Sequence, residues 1–231
     1  MKTLAIFMSG FATLALSTAA AQSAERRPPY VLELFTSQGC NSCPPANANL
    51  IKLRDRPDVL ALSFAVTYWD RLGWKDIFGK PEFTRRQEIY EGPLGHPSAF
   101  TPQMVVNGAR DAVGADMSEV SPLLAGQRLG DSLALTLTQG NVRIGAAQAP
   151  TGGADVWLVR YDPRVVEVAV TRGENAGHTL PHANVVHEFV KLGRWNGEPA
   201  AYALSQGDAA LKTAILVQAP DGGRILGAIT D

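Results

Sequence analysis

The chain has 231 residues, 45% of them hydrophobic, and carries 21 basic against 22 acidic residues for a net charge of −1. A near-neutral chain with no basic block lacks the electrostatic footprint of a nucleic-acid binder, so no nucleic-acid partner is expected. The apolar share supports a sizeable core, and the length suits one large or two small domains of about 100–150 residues each.

In chain order, Lys2 opens an apolar run from Leu4 to Leu16, and "STAAAQSAE" follows with Ala19 and Ala21 in an A-x-A arrangement. A charged start, an apolar middle and small residues at the exit are the pattern of a secretory signal peptide. The run is shorter than the about 20 residues a membrane helix needs. Residues 1–21 are therefore expected to be a cleaved signal peptide. The mature chain is expected to be exported, to the periplasm, with no membrane span. Export would place both cysteines where a disulfide persists.

From Tyr30 to Leu129 strands and helices alternate. "YVLELF" reads as a buried strand, and "CPPANANLIKLRDRP" spaces Ala46, Leu50 and Leu53 as a helix that starts at Pro44-Pro45. "VLALSFAV" reads as a second strand and "PEFTRRQEIYE" as a second helix. "QMVV" and "RDAV" flank Asn107-Gly108, a hairpin signal, and a last helix falls between Asp116 and Leu129 around Pro122. The order is β-α-β-α-β-β-α. After Gly130 come short alternating runs such as "ADVWLVRY", "VVEVAV", "VVHEFVKL" and "KTAILVQA". Turn pairs separate them, Asp162-Pro163 among them, which is the rhythm of a β-rich, sandwich-like unit. One long polar connection, residues 171–184, interrupts it.

The chemistry concentrates in "LFTSQGCNSCPPANANL", residues 34–50, which holds the chain's two cysteines, Cys40 and Cys43. A two-residue gap closes a very small ring, and such a ring removes little chain entropy, so the pair is a poor staple. Reversible exchange is the better use. A thiol at a helix N-terminus has a lowered pKa, and the amides of Asn41, Ser42 and Cys43 would be the donors near a Cys40 thiolate. Cys40 is expected to reach solvent from its Ser-Gln-Gly turn and to be the attacking or attacked sulfur. Cys43 is expected to sit deeper and resolve the mixed disulfide.

Two other uses stay open on the residues alone. One is a Cu(I)-binding envelope module, since soft Cu(I) suits paired thiolates, with His96 as a further ligand. The other is a non-enzymatic binding protein with a structural disulfide. Zinc would need four ligands, and haem attachment would need His where Pro44 stands. His178, His182 and His187 match no metal spacing, so neither a metal nor a cofactor is expected. Tyr68, Trp69 and Trp74 read as core or cover residues rather than a substrate platform.

The first half resembles the thioredoxin fold, in element order and in local segments. "VLELF" is similar to the strand before the cysteines in periplasmic dithiol oxidases, and Glu33 falls where that superfamily keeps a buried acid. "FTPQMVVNG", residues 100–108, resembles the cis-proline segment of glutaredoxins. The resemblance implies that Pro102 is a cis-proline facing the cysteines, that Thr101 precedes it in the cleft, and that Glu33 relays protons to Cys43. Gly39 departs from the aromatic that commonly precedes the first cysteine, and Asn41-Ser42 is not a familiar intervening dipeptide. The whole mature chain looks like a family of secreted bacterial proteins, domain-of-unknown-function family 1223, in "ELFTSQGCNSCPPA", "YWDRLGWKD", "TPQMVVNG" and "ENAGHTL". The expectation is an α/β protein: a thioredoxin-like domain at 28–129, then a β-rich domain at 130–231. Its function would be thiol–disulfide exchange by Cys40 and Cys43, with Glu33, Thr101 and Pro102 in support. Its partners would be thiol- or disulfide-containing proteins.

Overall fold

The structure is a computed structural model that describes residues 30–126, 128–130 and 133–231; the expected signal peptide lies outside these residues. It is a mixed α/β structure dominated by an eight-stranded sheet. Strand β1 (Tyr30–Thr36) is buried along its whole length, as its apolar run, broken only by Glu33 before Thr36, requires of a strand covered on both faces. It pairs in parallel with β2 (Val59–Ala65) and antiparallel with β3 (Gln103–Val106). Asn107 and Gly108 both take positive φ in a turn that the Ala109 amide closes on the Val106 carbonyl, and the three-residue loop 107–109 turns β3 into β4 (Arg110–Val113).

Helix α1 (Pro44–Arg54) begins on its two prolines, which have no N–H to lose at the first turn. Next in the chain come α2 (Pro81–Glu88), α3 (Glu91–Leu94) and α4 (Met117–Leu124). The Asp116 side chain caps α4 by accepting from the Ser118 amide, which starts that helix despite Pro122 inside it.

Period-two alternation along β1 divides the core. Tyr30, Leu32 and Leu34 pack with Ala46, Leu50 and Leu53 of α1 and Val120 and Leu124 of α4. Val31 and Phe35 face the other way, towards Phe83 of α2 and Tyr90. Each such fully buried aliphatic side chain contributes about 1.5–3 kcal/mol.

The second half supplies β5 (Leu135–Thr138), β6 (Asn141–Ile144), β7 (Ala154–Ala169), β8 (Thr179–Trp195), β9 (Ala200–Ala203), β10 (Lys212–Gln218) and β11 (Ile225–Thr230). Strands β5, β6 and β9 form a small sheet that packs over β7, β10 and β11 around Trp195, Val156, Ile215 and Ile229. The packing is sandwich-like, but one layer of the sandwich continues the first sheet. The order is β11-β10-β7-β8-β2-β1-β3-β4, with β8 meeting β2 in parallel at Ser63 and Val185. One buried cluster draws Val31, Phe64 and Tyr90 from the first half and Val159, Val186 and Leu216 from the second.

Two expectations about turns fail here. Asp162-Pro163 does not separate two strands: it is an irregularity inside β7, where the Asp162 side chain accepts from the Arg164 amide. The polar connection ends at His178, because "TLPHAN" joins β8 opposite Val165–Ala169 of β7. Long-range pairing with an already extended neighbour overrides the Pro and Asn that suggested a loop.

Candidate functional site

Cys40 and Cys43 form a disulfide with their Cα atoms 5.4 Å apart. The turn that carries them runs from the end of β1 into α1: the Cys40 amide donates to the Ser37 carbonyl, and the Cys43 amide to the Cys40 carbonyl. Cys43 is the N-cap residue, and its carbonyl accepts from the amides of Ala46 and Asn47. The Thr101–Pro102 peptide is cis, and it brings Thr101 to this turn from 61 residues away. The Thr101 hydroxyl donates to Cys40 Sγ at 3.3 Å, and the Ser42 hydroxyl also lies 3.3 Å from that sulfur. A disulfide sulfur carries no hydrogen, so both hydroxyls are the donors. The Trp69 indole N–H in turn donates to Thr101 Oγ1 at 2.7 Å.

Cys40 was expected to be exposed. It is not: both cysteines are 0% exposed, and only Asn41 and Ser42 between them face solvent. Two distant segments cover the turn. From residues 67–79, the Asp76 carboxylate accepts the Gln38 amide at 2.7 Å, while Trp74 Nε1 and the Ile77 amide donate to Gln38 Oε1. From residues 171–178, Asn175 Nδ2 donates to the carbonyls of both Gln38 and Cys40 at 2.9 Å, and the Asn41 amide donates to Glu174 Oε2. Two of the amides expected to face a Cys40 thiolate are therefore engaged elsewhere, Asn41 with Glu174 and Cys43 with the Cys40 carbonyl. The donors on the sulfur are side-chain hydroxyls instead.

Glu33 also departs from expectation. It is buried, but on the face of β1 turned away from α1 and the cysteines. Its two oxygens accept Arg86 Nε at 2.9 Å and Arg86 Nη2 at 3.0 Å, and the Tyr90 phenol donates to it as well. Arg86 Nη1 reaches on to Gln218 Oε1 at 2.6 Å. A strand sends alternate side chains to opposite faces, and position 33 falls on the α2 face, so Glu33 does not relay protons to Cys43.

The polar groups beneath α1 are others. Thr36 Oγ1 donates to Asn47 Oδ1, and Asn47 Nδ2 lies 3.5 Å from His182 Nδ1. Burial pulls His182 down to about 4 and pushes Asp76 up to about 6, although the amides of Gln38 and Phe78 oppose the second shift. His96 pairs with Asp111 at 2.7 Å and packs on Phe100, so it is not placed on the cysteines. Pro102 is buried at the head of β3.

Sequence reasoning named Trp69 only as a core or cover residue and gave Gln38, Asn47, Asn175 and His182 no place at the cysteines. The runs "YWDRLGWKD" and "ENAGHTL" flagged the two covering segments without saying what they cover. Among the described residues, no group of three or more His, Cys, Asp or Glu is arranged to hold a metal ion.

The chain is similar to solved structures along most of its length. A crystal structure of a protein from Agrobacterium tumefaciens is 32% identical, covering 90% of this chain and 95% of its own, with a TM-score of 0.71. HBP35 of Porphyromonas gingivalis is 15% identical, covering 89% of this chain and 75% of its own, with a TM-score of 0.57, a likeness of fold alone. A comparison with curated proteins finds no match. Residues 31–218 match the family described as a protein of unknown function, DUF1223, and the chain belongs to that family.

Proposed function

We propose that this protein is an exported thiol–disulfide oxidoreductase: a thioredoxin-like domain at 28–129 carries the reactive pair, and the β-rich part at 130–231 helps to position a protein substrate. One observation carries the reading. The Cys40–Cys43 disulfide spans two residues at the start of a buried helix, and a hydroxyl from a distant segment is aimed at one sulfur alone, Cys40 Sγ. A structural cross-link needs no donor on a sulfur, whereas a thiolate leaving group does. The order of β1, α1, β2, α2, β3, β4 and α4, with β1 between a parallel and an antiparallel neighbour, supports the thioredoxin-like assignment. The disulfide accords with an oxidising compartment. Residues 171–178, which belong to the β-rich part, reach the cysteine turn and support its role in positioning.

In the forward direction a substrate thiolate attacks Cys40 Sγ, a mixed disulfide forms, and Cys43 leaves as a thiolate. A second substrate thiolate attacks the substrate sulfur of that bond and expels Cys40. Two electrons and two protons pass from the substrate dithiol to the protein. In reverse, the Cys40 thiolate attacks a substrate disulfide, and Cys43 resolves the mixed disulfide.

Trapping tests this. Cys43→Ser should accumulate mixed disulfides through Cys40, visible on non-reducing gels and by mass spectrometry, and Cys40→Ser should trap nothing. Equal, slow alkylation of both cysteines in the reduced protein would end the reading.

A further inference from the structure

Trp69 stands at the centre of a contact that the exchange chemistry above does not use. Its Cβ packs over Gly39, where an added Cβ would lie 3.1 Å from Trp69 Cβ and 3.4 Å from the Trp69 carbonyl oxygen, so a larger side chain before Cys40 would have to displace the Trp69 backbone. An indole N–H can only donate, so at 2.7 Å it takes a lone pair of Thr101 Oγ1 and leaves the Thr101 proton to point elsewhere. Two acceptors lie in that direction, Cys40 Sγ at 3.3 Å and the Tyr68 phenol oxygen. The Tyr68 phenol donates its own proton to Gln87 Oε1, and burial pushes it up to about 12, so it stays neutral. A thiolate at Cys40 is the stronger acceptor of the two.

We propose that Trp69 is a positioning residue: by occupying the Thr101 oxygen it commits the Thr101 hydroxyl proton to Cys40, and so makes Cys40 the cysteine held as a thiolate in the reduced pair. The inference rests on the exchange reading and names the device that sets its asymmetry. The charged and titratable groups around Cys40 are few. Glu174 on the Asn41 amide, and Asp76 with Asp70 behind the Gln38 amide, carry negative charge that opposes a thiolate. Arg71 lies over the Trp69 ring at 5.8 Å, and His182, on the far side of Asn47, is neutral at neutral pH. With carboxylates nearest, donated hydrogen bonds are the favourable contribution at the sulfur.

The experiment follows alkylation of Cys40 by iodoacetamide against pH in the reduced protein. Trp69→Phe should move the midpoint up by about one unit, which slows alkylation near pH 6 about tenfold. Thr101→Val should do the same, Thr101→Ser should keep the wild-type profile, and the Trp69→Phe/Thr101→Val double variant should add nothing further. An unmoved midpoint in Trp69→Phe, or shifts that add in the double variant, overturns the inference. A variant that does not fold is bypassed in the wild-type protein, where the Trp69 indole proton resonance should shift with the same midpoint as Cys40 alkylation; a resonance that ignores that titration also overturns it. The exchange reading is scored separately, by exchange of the wild-type protein with glutathione disulfide, so either idea can fail while the other stands.

Discussion

On one face of β1 the Glu33 carboxylate is met by a guanidinium, with both side chains 0% exposed. At the end of the same strand, towards α1, the groups on the disulfide sulfur are neutral: the hydroxyls of Thr101 and Ser42 meet Cys40 Sγ, while the Asn175 carboxamide holds the backbone carbonyls of Gln38 and Cys40. The first arrangement is bidentate and closed. Arg86 also bonds Gln218 of β10 and lies 4.7 Å over the Phe189 ring of β8, so a single side chain ties α2 and β1 to the second half. The second arrangement leaves the sulfur without a fixed opposite charge. A group that must change charge during a reaction is better served by dipoles that can hold either state than by a permanent ion pair. The difference assigns stability to one face and, on the proposed exchange reading, leaves the other free for reaction.

The largest effect should come from breaking the ion pair. Arg86→Ala leaves Glu33 buried and unpaired, and urea unfolding should show a loss of about 3–5 kcal/mol. Glu33→Gln should also destabilise, because it leaves the Arg86 guanidinium buried without an opposite charge, and should leave the resolution step at Cys43 unchanged. If Glu33→Gln instead slowed resolution without loss of stability, the division between the faces would collapse and the acid-relay role would return.

The second effect is in pH dependence, which should arise at the covered turn rather than at the ion pair. Burial raises Asp76 from 3.8 to about 6, so its contribution is present below about pH 4 and lost as pH rises through 6. Burial lowers His182 from 6.5 to about 4, so its contribution is present above about pH 6.5 and lost as pH falls through 4. Each amounts to about 3 kcal/mol, with opposite sign in the same window. Asp76→Asn should therefore leave stability falling towards pH 4, and His182→Gln should leave it falling towards pH 7, both read by urea unfolding. Profiles unchanged from wild type would mean that neither group is held as described.

The smallest effect concerns access. Asn175→Ala removes two hydrogen bonds from the cover, worth about 1 kcal/mol between them after exchange with water, so reduction of the disulfide by a small phosphine should quicken roughly fivefold. An unchanged rate would show that residues 171–178 do not limit access, and would leave the 67–79 segment as the barrier.

Much of the first half was legible in the residues. The apolar run at 30–35, the helix beginning on Pro44-Pro45 and the hairpin at Asn107-Gly108 are local signals, and each lies where its pattern puts it. The strands after Gly130 were legible as strands, but their lengths were not. Pairing of β7 with β8 carries extended structure through Asp162-Pro163 and through Pro181, residues that end strands when no neighbour is waiting. At the site, the two cysteines were visible as a pair, whereas the burial of Cys40 was not, because a turn rich in Ser, Gln and Gly looks exposed until something covers it.

What the sequence by itself determined is what near neighbours in the chain decide: the strand before the cysteines, the helix after them, and the spacing that lets them bond. What only the tertiary structure decided is what distant residues decide. Thr101 reaches Cys40 across 61 positions, and Asn175 reaches it across 135. Glu33 was set apart from the cysteines by a parity of one residue along β1, and the helix packed on each face settled which parity meant which. Burial and hydrogen-bond partnership depend on which segments meet in space, and no spacing along the chain encodes that meeting.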